Sequence, residues 1–159
     1  MIYKIRKIEK NEYKLLNDFL YEAIFIPKGT EKPPKEIINN KELQVYVKGF
    51  GTNKDDNCFV AEYNNKIIGA CWTRIMNDYG HIDNSTPSFA ISLYRDYRGK
   101  GIGTELMEKM LELLKHKGYK RASLAVQKEN YAVKMYKKVG FEIVDENEEE
   151  YIMVCDLTK

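Results

Sequence analysis

The sequence has few of the residues that build metal centres or disulfide frameworks. Its 159 residues include three cysteines, Cys58, Cys71 and Cys155, and two histidines, His81 and His116. The cysteines are odd in number, widely spaced and form no Cys-x-x-Cys pair, which is typical of free thiols in a reducing compartment. Two distant histidines do not suggest a histidine-based metal site. We therefore expect neither disulfides nor a bound metal.

Long hydrophobic runs and a strong charge imbalance are also missing. No stretch approaches the ~20 apolar residues that a membrane-spanning helix needs. Residues 1–7 alternate charged and hydrophobic side chains and lack the apolar segment of a signal peptide. The formal net charge of +2 favours neither nucleic acid nor an anionic membrane as a partner. These absences predict a cytoplasmic monomer or homodimer that binds neither nucleic acid nor membranes.

The residues that are present predict one folded domain. Hydrophobic side chains make up 43% and charged side chains 31% of the chain, and neither repeats nor a linker divide it. Period-two alternation predicts strands, and apolar spacings of three and four predict helices. Strands are expected at residues 2–7, 58–63, 66–76, 88–93, 121–126, 141–144 and 151–157, and helices at 11–23, 35–48, 104–117 and 130–139. We predict a single α+β domain over residues 1–159.

Two connections can be interpreted from their residue types. Asn64 and Asn65 tolerate positive φ, so they predict a tight hairpin between the second and third strands. Residues 145–150 contain five acids. We interpret this run as a solvated hairpin loop in preference to an acidic binding surface.

The run Tyr-Arg-Gly-Lys-Gly-Ile-Gly at residues 97–103 lies between a predicted strand and a predicted helix. Alternate glycines let the backbone turn sharply and approach a ligand closely, because no Cβ intervenes. The following helix directs unpaired N–H groups and its positive dipole end at this turn, which suits a phosphate or diphosphate. Arg98 and Lys100 add positive charge beside it. The spacing matches neither the nucleotide-triphosphate loop nor the dinucleotide fingerprint.

Two motifs together resemble the GNAT superfamily, the acyl-CoA-dependent N-acetyltransferases. The first is Arg-x-x-Gly-x-Gly, from Arg98 through Gly101 to Gly103, which is similar to the pyrophosphate loop of that superfamily. The second is Asn-Tyr-Ala-Val-Lys-Met-Tyr-Lys-Lys-Val-Gly-Phe at residues 130–141, which is similar to Asn-x-x-Ala-x-x-Leu/Met-Tyr followed by Gly-Phe. The motifs occur in the family's order and at a family-like separation. The resemblance covers the chain from about residue 59 to its end.

The resemblance implies a mixed, mostly antiparallel central sheet of about seven strands, flanked by about four helices. It also implies that residues 1–159 form one N-acetyltransferase domain with acetyl-CoA as cosubstrate and no metal. The implied reaction moves the acetyl group to a primary amine of a small molecule or protein, by direct attack in a ternary complex. One alternative is a non-catalytic acyl-CoA-binding sensor or interaction module on the same fold. Another is a phosphate-binding domain unrelated to coenzyme A.

The resemblance further implies that the coenzyme lies along the strand before the glycine turn and over the turn itself. Backbone groups of Ile91, Ser92 and Leu93 would bond the pantetheine arm and the thioester, where strand pairing is locally broken. Asn130 would cap the last helix, bond the pantetheine arm, or do both. The other expected coenzyme contacts are Arg98, Gly99, Lys100, Gly101, Ile102, Gly103, Thr104 and Tyr136.

The reaction also needs groups that move protons, because an amine with a free pKa of about 10 is protonated at neutral pH. Tyr136 stands where the family often places its general acid, and a phenol can donate a proton to the departing thiolate. Many relatives carry a glutamate on the strand before the turn, but residues 87–90 contain no acid. We take Asp83 as the candidate base, with His81 and Glu22 as alternatives. A water chain, or an amine that arrives neutral, would need none of them.

The acceptor site is expected in the segments that carry no motif, residues 23–34, 49–57 and 77–87. Five side chains could shape an aromatic pocket there: Tyr21, Phe25, Trp72, Tyr79 and His81. We expect Trp72 and Phe25 to lie in the core instead. No charge signature selects a carboxylate, phosphate, sugar or peptide acceptor.

Overall fold

The computed structural model describes residues 1–159 and is built on one seven-stranded sheet. The strands are β1 (Lys4–Lys7), β2 (Asn57–Tyr63), β3 (Lys66–Arg74), β4 (Ser88–Leu93), β5 (Arg121–Gln127), β6 (Phe141–Glu146) and β7 (Glu150–Asp156). The helices are α1 (Leu16–Glu22), α2 (Lys41–Gln44), α3 (Ile102–His116) and α4 (Ala132–Lys138). The predicted α+β class, the mostly antiparallel sheet and the four flanking helices are confirmed. No helix has both the length and the apolar character needed to cross a membrane.

The strand order is β1-β2-β3-β4-β5-β7-β6, and every neighbouring pair is antiparallel except β4 and β5. Parallel β4 and β5 pair only at Ser88 and Ser123, and beyond this pair the two strands diverge. We call the wedge between them, from Phe89 onward, the fork. The fork interrupts the sheet near its centre and leaves backbone groups without strand partners.

Each face of the sheet carries its own hydrophobic core. On the back face, α3 buries an apolar stripe of Leu106, Met107, Met110 and Leu114 against the strands. On the front face, α1 packs Leu16, Phe19 and Leu20 against a cluster that includes Trp72. Side chains of a strand alternate between faces, so β4 directs its odd-numbered residues to the back and its even-numbered residues to the front.

Several local predictions are confirmed with small shifts in bounds. Asn64 and Asn65 have φ of 50° and 62°, the positive values that a tight two-residue hairpin turn requires. β4 occupies the predicted residues, and α3 begins two residues before the predicted start at residue 104. Gly118 follows the last helical turn with φ of 92°, as expected for a C-terminal glycine cap.

Other local predictions were wrong. A helix was expected over residues 35–48, but the segment forms a 3-10 turn (Lys35–Asn39) and the single-turn α2, separated by extended Asn40. The helix expected over residues 11–23 opens as a 3-10 segment (Lys10–Leu15), whose N-terminus is capped by reciprocal hydrogen bonds of Glu9 and Glu12. The acidic run at 145–150 is solvated and lies at a hairpin as expected, but the loop is shorter than predicted, because β6 continues to Glu146 and β7 starts at Glu150.

Candidate functional site

A cavity of about 700 Å³ opens at the carboxyl end of β4, at the mouth of the fork. Four segments contribute its walls: residues 21–33 at the end of α1 and beyond it, residues 91–93 at the end of β4, residues 95–104 around the glycine turn, and residues 130–136 at the start of α4. Both motif regions, which are about thirty residues apart in sequence, therefore meet in one place.

The direction of the β4 backbone groups follows from their hydrogen bonds. The carbonyl of Pro87 accepts from the N–H of Ser123 at 2.9 Å, and the N–H of Tyr94 donates to the carbonyl of Ile68 at 3.0 Å. Backbone groups alternate in direction along a strand. Odd-numbered residues of β4 thus direct N–H and C=O groups toward β5, and even-numbered residues direct them toward β3.

The fork leaves some of these groups exposed to the cavity. No β5 residue pairs with β4 beyond Ser88, so the N–H and C=O of Ile91 and the N–H of Leu93 have no strand partner. The expected break in pairing therefore lies at the expected residues. Ser92 differs, because its backbone groups point toward β3, where Ser92 pairs with Ala70. Its buried hydroxyl donates to the carbonyl of Phe19 at 2.6 Å.

The glycine turn has the backbone conformation that its sequence suggests. Gly99 and Gly101 have φ of 74° and 85°, and a Cβ at either position would meet no atom within 4 Å. Gly101 is the N-cap of α3, and its carbonyl accepts the first helical bond, from the N–H of Glu105. The N–H groups of Ile102, Gly103 and Thr104 are consequently free of helical partners. Together these features form an open, N–H-rich cradle for an anion.

Gly103 has a different role from the two glycines before it. It is buried, and a Cβ there would lie 3.3 Å from Sδ of Met135 and 3.7 Å from Cδ1 of Leu93. This glycine lets the first turn of α3 pack closely against α4 and β4. The third glycine of the motif therefore serves packing, and the first two provide the turn.

Arg98 is held in place by the protein itself. Its Nε donates to the carbonyl of Leu93 at 2.9 Å, and its Nη2 contacts the carbonyl and carboxylate of Glu22, each at 3.2 Å. The guanidinium thus joins the glycine turn to α1 and to the end of β4. Lys100 is exposed and does not line the cavity.

The cavity is lined by more basic than acidic side chains, which sequence reasoning missed. Its cationic residues are Lys28, Lys32, Arg95 and Arg98, and its one acid is Glu22. The segment after α1 that supplies both lysines is tied down by the Tyr21 hydroxyl, which donates to the carbonyl of Pro33 at 2.6 Å. The net charge of the whole chain is near zero, so it did not indicate this local excess of basic side chains.

Tyr136 lies on the cavity wall beside the fork. Its ring meets Phe141 edge-on at a centroid distance of 6.2 Å, and its hydroxyl makes no hydrogen bond within the chain. Burial raises the pKa of the Tyr136 hydroxyl above its ordinary value, with a smaller contribution from nearby Cys71. Tyr136 therefore holds its proton at neutral pH and can donate it toward the cavity.

Asn130 lies at the start of α4 and also lines the cavity. Its Oδ1 accepts from the N–H of Ala132 at 2.9 Å, which satisfies the first N–H of α4 from one residue before the N-cap residue Tyr131. The amide nitrogen has no partner within the chain and remains available to a ligand. The structure therefore accommodates both roles considered for Asn130.

The structure does not bring Asp83 to the cavity. Its carboxylate, 43% exposed, accepts from the backbone N–H of Ser85 and the hydroxyl of Thr86, and pairs with Arg121 at 2.5 Å. These hydrogen bonds, foremost that of Thr86, lower the pKa of Asp83, which weakens it as a base. Because Asp83 does not line the cavity and its carboxylate is paired with Arg121, we do not retain it as the base.

The other candidate bases have distinct surroundings. Glu22 lines the cavity but is engaged with Arg98. His81 does not line the cavity, and its buried Nδ1 has no partner within the chain. Asp78, three residues before His81 in the same loop, also lies outside the cavity lining, and no motif marks it in the sequence.

Of the five aromatic side chains considered for an acceptor pocket, Tyr21 and Phe25 line the cavity. Trp72 is fully buried and donates from Nε1 to the carbonyl of Tyr46 at 2.9 Å, so its expected core position is confirmed. The same expectation for Phe25 was wrong, because that ring is half-buried in the cavity wall. Tyr79 and His81 lie elsewhere, as do the loops at 49–57 and 77–87.

The chain matches known acetyltransferases over most of its length. The model of the Acetyltransferase (GNAT) family matches residues 17–141. An uncharacterised N-acetyltransferase of Methanocaldococcus jannaschii is 32% identical over 148 residues, which cover 88% of this chain and 61% of that protein. A ribosomal protein bS18 alanine N-acetyltransferase of Haemophilus influenzae is 34% identical over 82 residues, 52% of each chain. The chain thus spans less than two thirds of the length of these relatives.

The fold has close structural neighbours. The PaiA N-acetyltransferase of Thermoplasma acidophilum, solved with coenzyme A, superposes with a TM-score of 0.71 at 22% identity, over 98% of this chain and 99% of that one. The ribosomal-protein-S18-alanine N-acetyltransferase of Escherichia coli superposes with a TM-score of 0.69 at 15% identity, over 99% and 96% of the two chains. At such identities the similarity concerns the fold alone.

Proposed function

The chain belongs to the acetyltransferase (GNAT) family, and on this premise we propose that it transfers an acetyl group from acetyl-CoA to a primary amine. The acceptor is a small molecule or a protein, and the amine attacks the thioester directly in a ternary complex. The observation that carries the proposal is the meeting of three features in one cavity. These are the open glycine turn at the N-terminus of α3, the unpaired backbone of β4 in the fork, and the hydroxyl of Tyr136.

Each feature suits one part of acetyl-CoA. The diphosphate fits the cradle of Gly99, Gly101 and the free N–H groups of α3, where the helix dipole favours negative charge. The basic side chains around the cavity favour the same polyanion. The amides of the pantetheine arm are matched by the free N–H and C=O of Ile91, in the manner of an added strand. The N–H of Leu93 is a donor for the thioester oxygen as charge develops on it.

Tyr136 is assigned the general acid. When the C–S bond breaks, the thiolate needs a proton, and the unbonded hydroxyl of Tyr136 lies on the wall of the same cavity. The raised pKa of Tyr136 keeps it in the donating form across the physiological range. Its ring also supports the wall through its edge-on contact with Phe141.

The alternative is that the chain binds acyl-CoA without turnover, since no acid stands on β4. Thiol release from acetyl-CoA across a panel of primary amines separates the two. An enzyme releases thiol faster with at least one amine, and a sensor binds the coenzyme with no release for any of them.

Coenzyme binding can be tested through the glycine turn. Titration calorimetry on the folded wild type should detect coenzyme A binding, and Gly101→Leu should abolish it by filling the cradle. Gly118→Leu is the matched control, because Gly118 also has positive φ and open space at its Cβ but lies at the far end of α3. Both variants carry the same backbone strain, on the order of 1–2 kcal/mol. Absence of coenzyme A binding to the wild type, or equal binding by all three proteins, would refute the proposal.

A further inference from the structure

The loop between β3 and β4 brings one carboxylate to the vertex of the fork. Oδ1 of Asp78 accepts from the hydroxyl of Ser88 at 3.1 Å, and Oδ2 accepts from the hydroxyl of Tyr46 at 3.2 Å. Ser88 is the β4 member of the single β4–β5 pair, and its Oγ lies 3.4 Å from that of Ser123. Asp78 therefore lies directly over the point where the two strands separate.

Asp78 approaches the fork from the front face, opposite Tyr136. Ser88 belongs to the front-facing residues of β4, and Tyr46 packs against the front core. Gly80 fixes this position, because a Cβ there would lie 3.0 Å from the backbone of Leu124 and of Ala125. The loop thus lies flat on β5, with no room for a side chain between them.

Small side chains flank the front side of the fork. Ala90 of β4 and Ala125 of β5 are its flanking residues on this face, and both are partly exposed although they lie in the middle of their strands. Because both side chains are only methyl groups, this face of the fork is partly accessible, and we call it the gap. An amine that entered here would approach from the face opposite Tyr136. Asp78 lies at the closed end of this gap.

The electrostatic surroundings suit a proton acceptor. Asp78 takes part in none of the six ion pairs of the chain. Burial raises the pKa of Asp78, and this effect is opposed by the hydroxyls of Ser88 and Tyr46 and by the charge of His81. Burial raises the pKa of Tyr46, and the charges of Asp78 and of Glu150, at the start of β7, add to this effect. The backbone N–H of His81 donates to the carbonyl of Asp78 at 3.1 Å, and the buried Nδ1 of His81 has no partner within the chain.

We propose that Asp78 is the proton acceptor that generates the nucleophilic amine. The assignment rests on the proposed acetyl transfer. Three residues of strand, about 10 Å, separate Ser88 from Ile91, so the proton travels through the gap by way of water and the Ser88 hydroxyl. Tyr46 and Ser88 orient the carboxylate and act as positioning residues.

The step balances without any further reactant. The acceptor arrives as an ammonium ion and gives one proton to the Asp78 carboxylate, which later releases it to solvent. The neutral nitrogen attacks the thioester carbon, the C–N bond forms and the C–S bond breaks. Tyr136 protonates the thiolate, and the second proton of the nitrogen passes through water to restore the Tyr136 hydroxyl. The products are therefore an amide, free coenzyme A and one proton.

The test compares Asp78→Asn with wild type, using acetyl-CoA and the fastest acceptor from a panel of α,ω-diamines, dipeptide amides with a free α-amine, and Nα-acetyl-lysine amide. We expect kcat/KM for the amine to fall on the order of 10²-fold at pH 7, with unchanged coenzyme A affinity by calorimetry. The loss should shrink as pH rises, because the free amine becomes abundant without a base. Tyr46→Phe removes a hydrogen bond to the ionised carboxylate, so it should move the acid limb of the pH profile to higher pH.

Asp83→Asn is the matched control, since it neutralises a carboxylate of the same loop that lies away from the gap. It should retain the wild-type pH profile. Wild-type rates and an unaltered acid limb in Asp78→Asn, beside an active wild type, would overturn the assignment of Asp78 alone. Failure of the wild type to release thiol with any amine would overturn the proposed function and the assignment with it.

Discussion

At the scale of single residues, Tyr136 can be separated into a ring that packs and a hydroxyl that has no partner within the chain. Tyr136→Phe keeps the edge-on contact with Phe141 and removes the proton donor. We expect kcat to fall on the order of 10²-fold, with the KM for acetyl-CoA nearly unchanged. Because the pKa of Tyr136 is raised, the hydroxyl stays protonated through pH 9. The loss should therefore be uniform between pH 6 and 9 in steady-state assays.

An unchanged kcat in Tyr136→Phe would remove this tyrosine from the mechanism. A loss that appears mainly as weaker coenzyme binding would instead assign the hydroxyl to binding. Calorimetry with coenzyme A on the same variant distinguishes these outcomes.

Asp78 should lower the stability of the protein at neutral pH, because its ionised carboxylate is partly buried. Its pKa is raised in the folded state above the unfolded value of about 3.9. Between those two values the unfolded chain binds fewer protons, so this group makes stability decrease as pH rises. Asp78→Asn lacks the effect. The free energy of unfolding of Asp78→Asn, relative to that of the wild type, should therefore increase from pH 4 upward. Urea denaturation at several pH values measures this difference.

Site residues that belong to a sequence motif could be predicted from the sequence, and site residues outside any motif could not. The glycine turn and Tyr136 are marked by their spacing, and they meet in one cavity. Asp78 carries no local signal, because its importance arises from Ser88 and Tyr46, which are ten and thirty-two residues away. Asp83 was chosen from the same loop, but its ion pair with Arg121 is a tertiary contact that sequence cannot reveal.

At the scale of elements, the loop at 49–57 is held by a buried ion pair. Arg74 and Asp56 form two N–H···O contacts of 3.1 and 3.2 Å, with side-chain exposures of 6% and 1%. The guanidinium also donates to the carbonyls of Val45 and Lys48, so one arginine joins β3 to α2 and this loop. Asp56→Ala leaves a buried charge without its partner and should lower the free energy of unfolding by about 3–5 kcal/mol.

The measurement for Asp56→Ala is urea denaturation at neutral pH, with coenzyme A affinity as the second readout. We expect affinity at low temperature to stay near wild type, because this loop does not line the cavity. Unchanged stability would show that the loop rearranges to hydrate Arg74.

A second ion-pair cluster joins β1, the segment before α1, and β2. Arg6 pairs with Glu12 at 2.7 Å and with Glu62 at 2.8 Å. The hydrogen bonds from Arg6 lower the pKa of Glu12. This stabilisation is complete above the unfolded pKa of glutamate and is lost as pH falls through the folded value. Glu12→Gln should cost on the order of 1–3 kcal/mol at pH 7 and almost nothing at pH 2, as measured by denaturation at both pH values.

Sequence periodicity predicted the long or strongly alternating elements and failed for short ones. β4 and α3 have enough repeats to define their period, and their positions were predicted to within two residues. Residues 35–48 contain helix-forming residues, yet only one turn of α-helix forms there. The front core and the Arg74 contacts determine that local path, and both depend on residues distant in sequence.

At the scale of the whole molecule, composition predicted one α+β domain but could not locate its charges. A net charge of +2 conceals a cavity lined by four cationic residues and one acid. We expect Lys28→Glu to weaken coenzyme A binding severalfold, with the loss diminishing as ionic strength rises, because the interaction is long-range and screened by salt. Calorimetry at 50 and 500 mM NaCl measures this dependence, and a salt-independent loss would contradict it.

Because β4 and β5 pair only at Ser88 and Ser123, the sheet consists of two parts that are joined by few backbone hydrogen bonds. Residues 1–118 and 119–159 share the hydrophobic core beneath α3 but almost no backbone ladder. A ligand bound in the fork would contact both parts and stabilise their association. Coenzyme A should accordingly slow amide hydrogen exchange along both β4 and β5, and a chain cut at the exposed Gly118 should reassemble more readily in its presence.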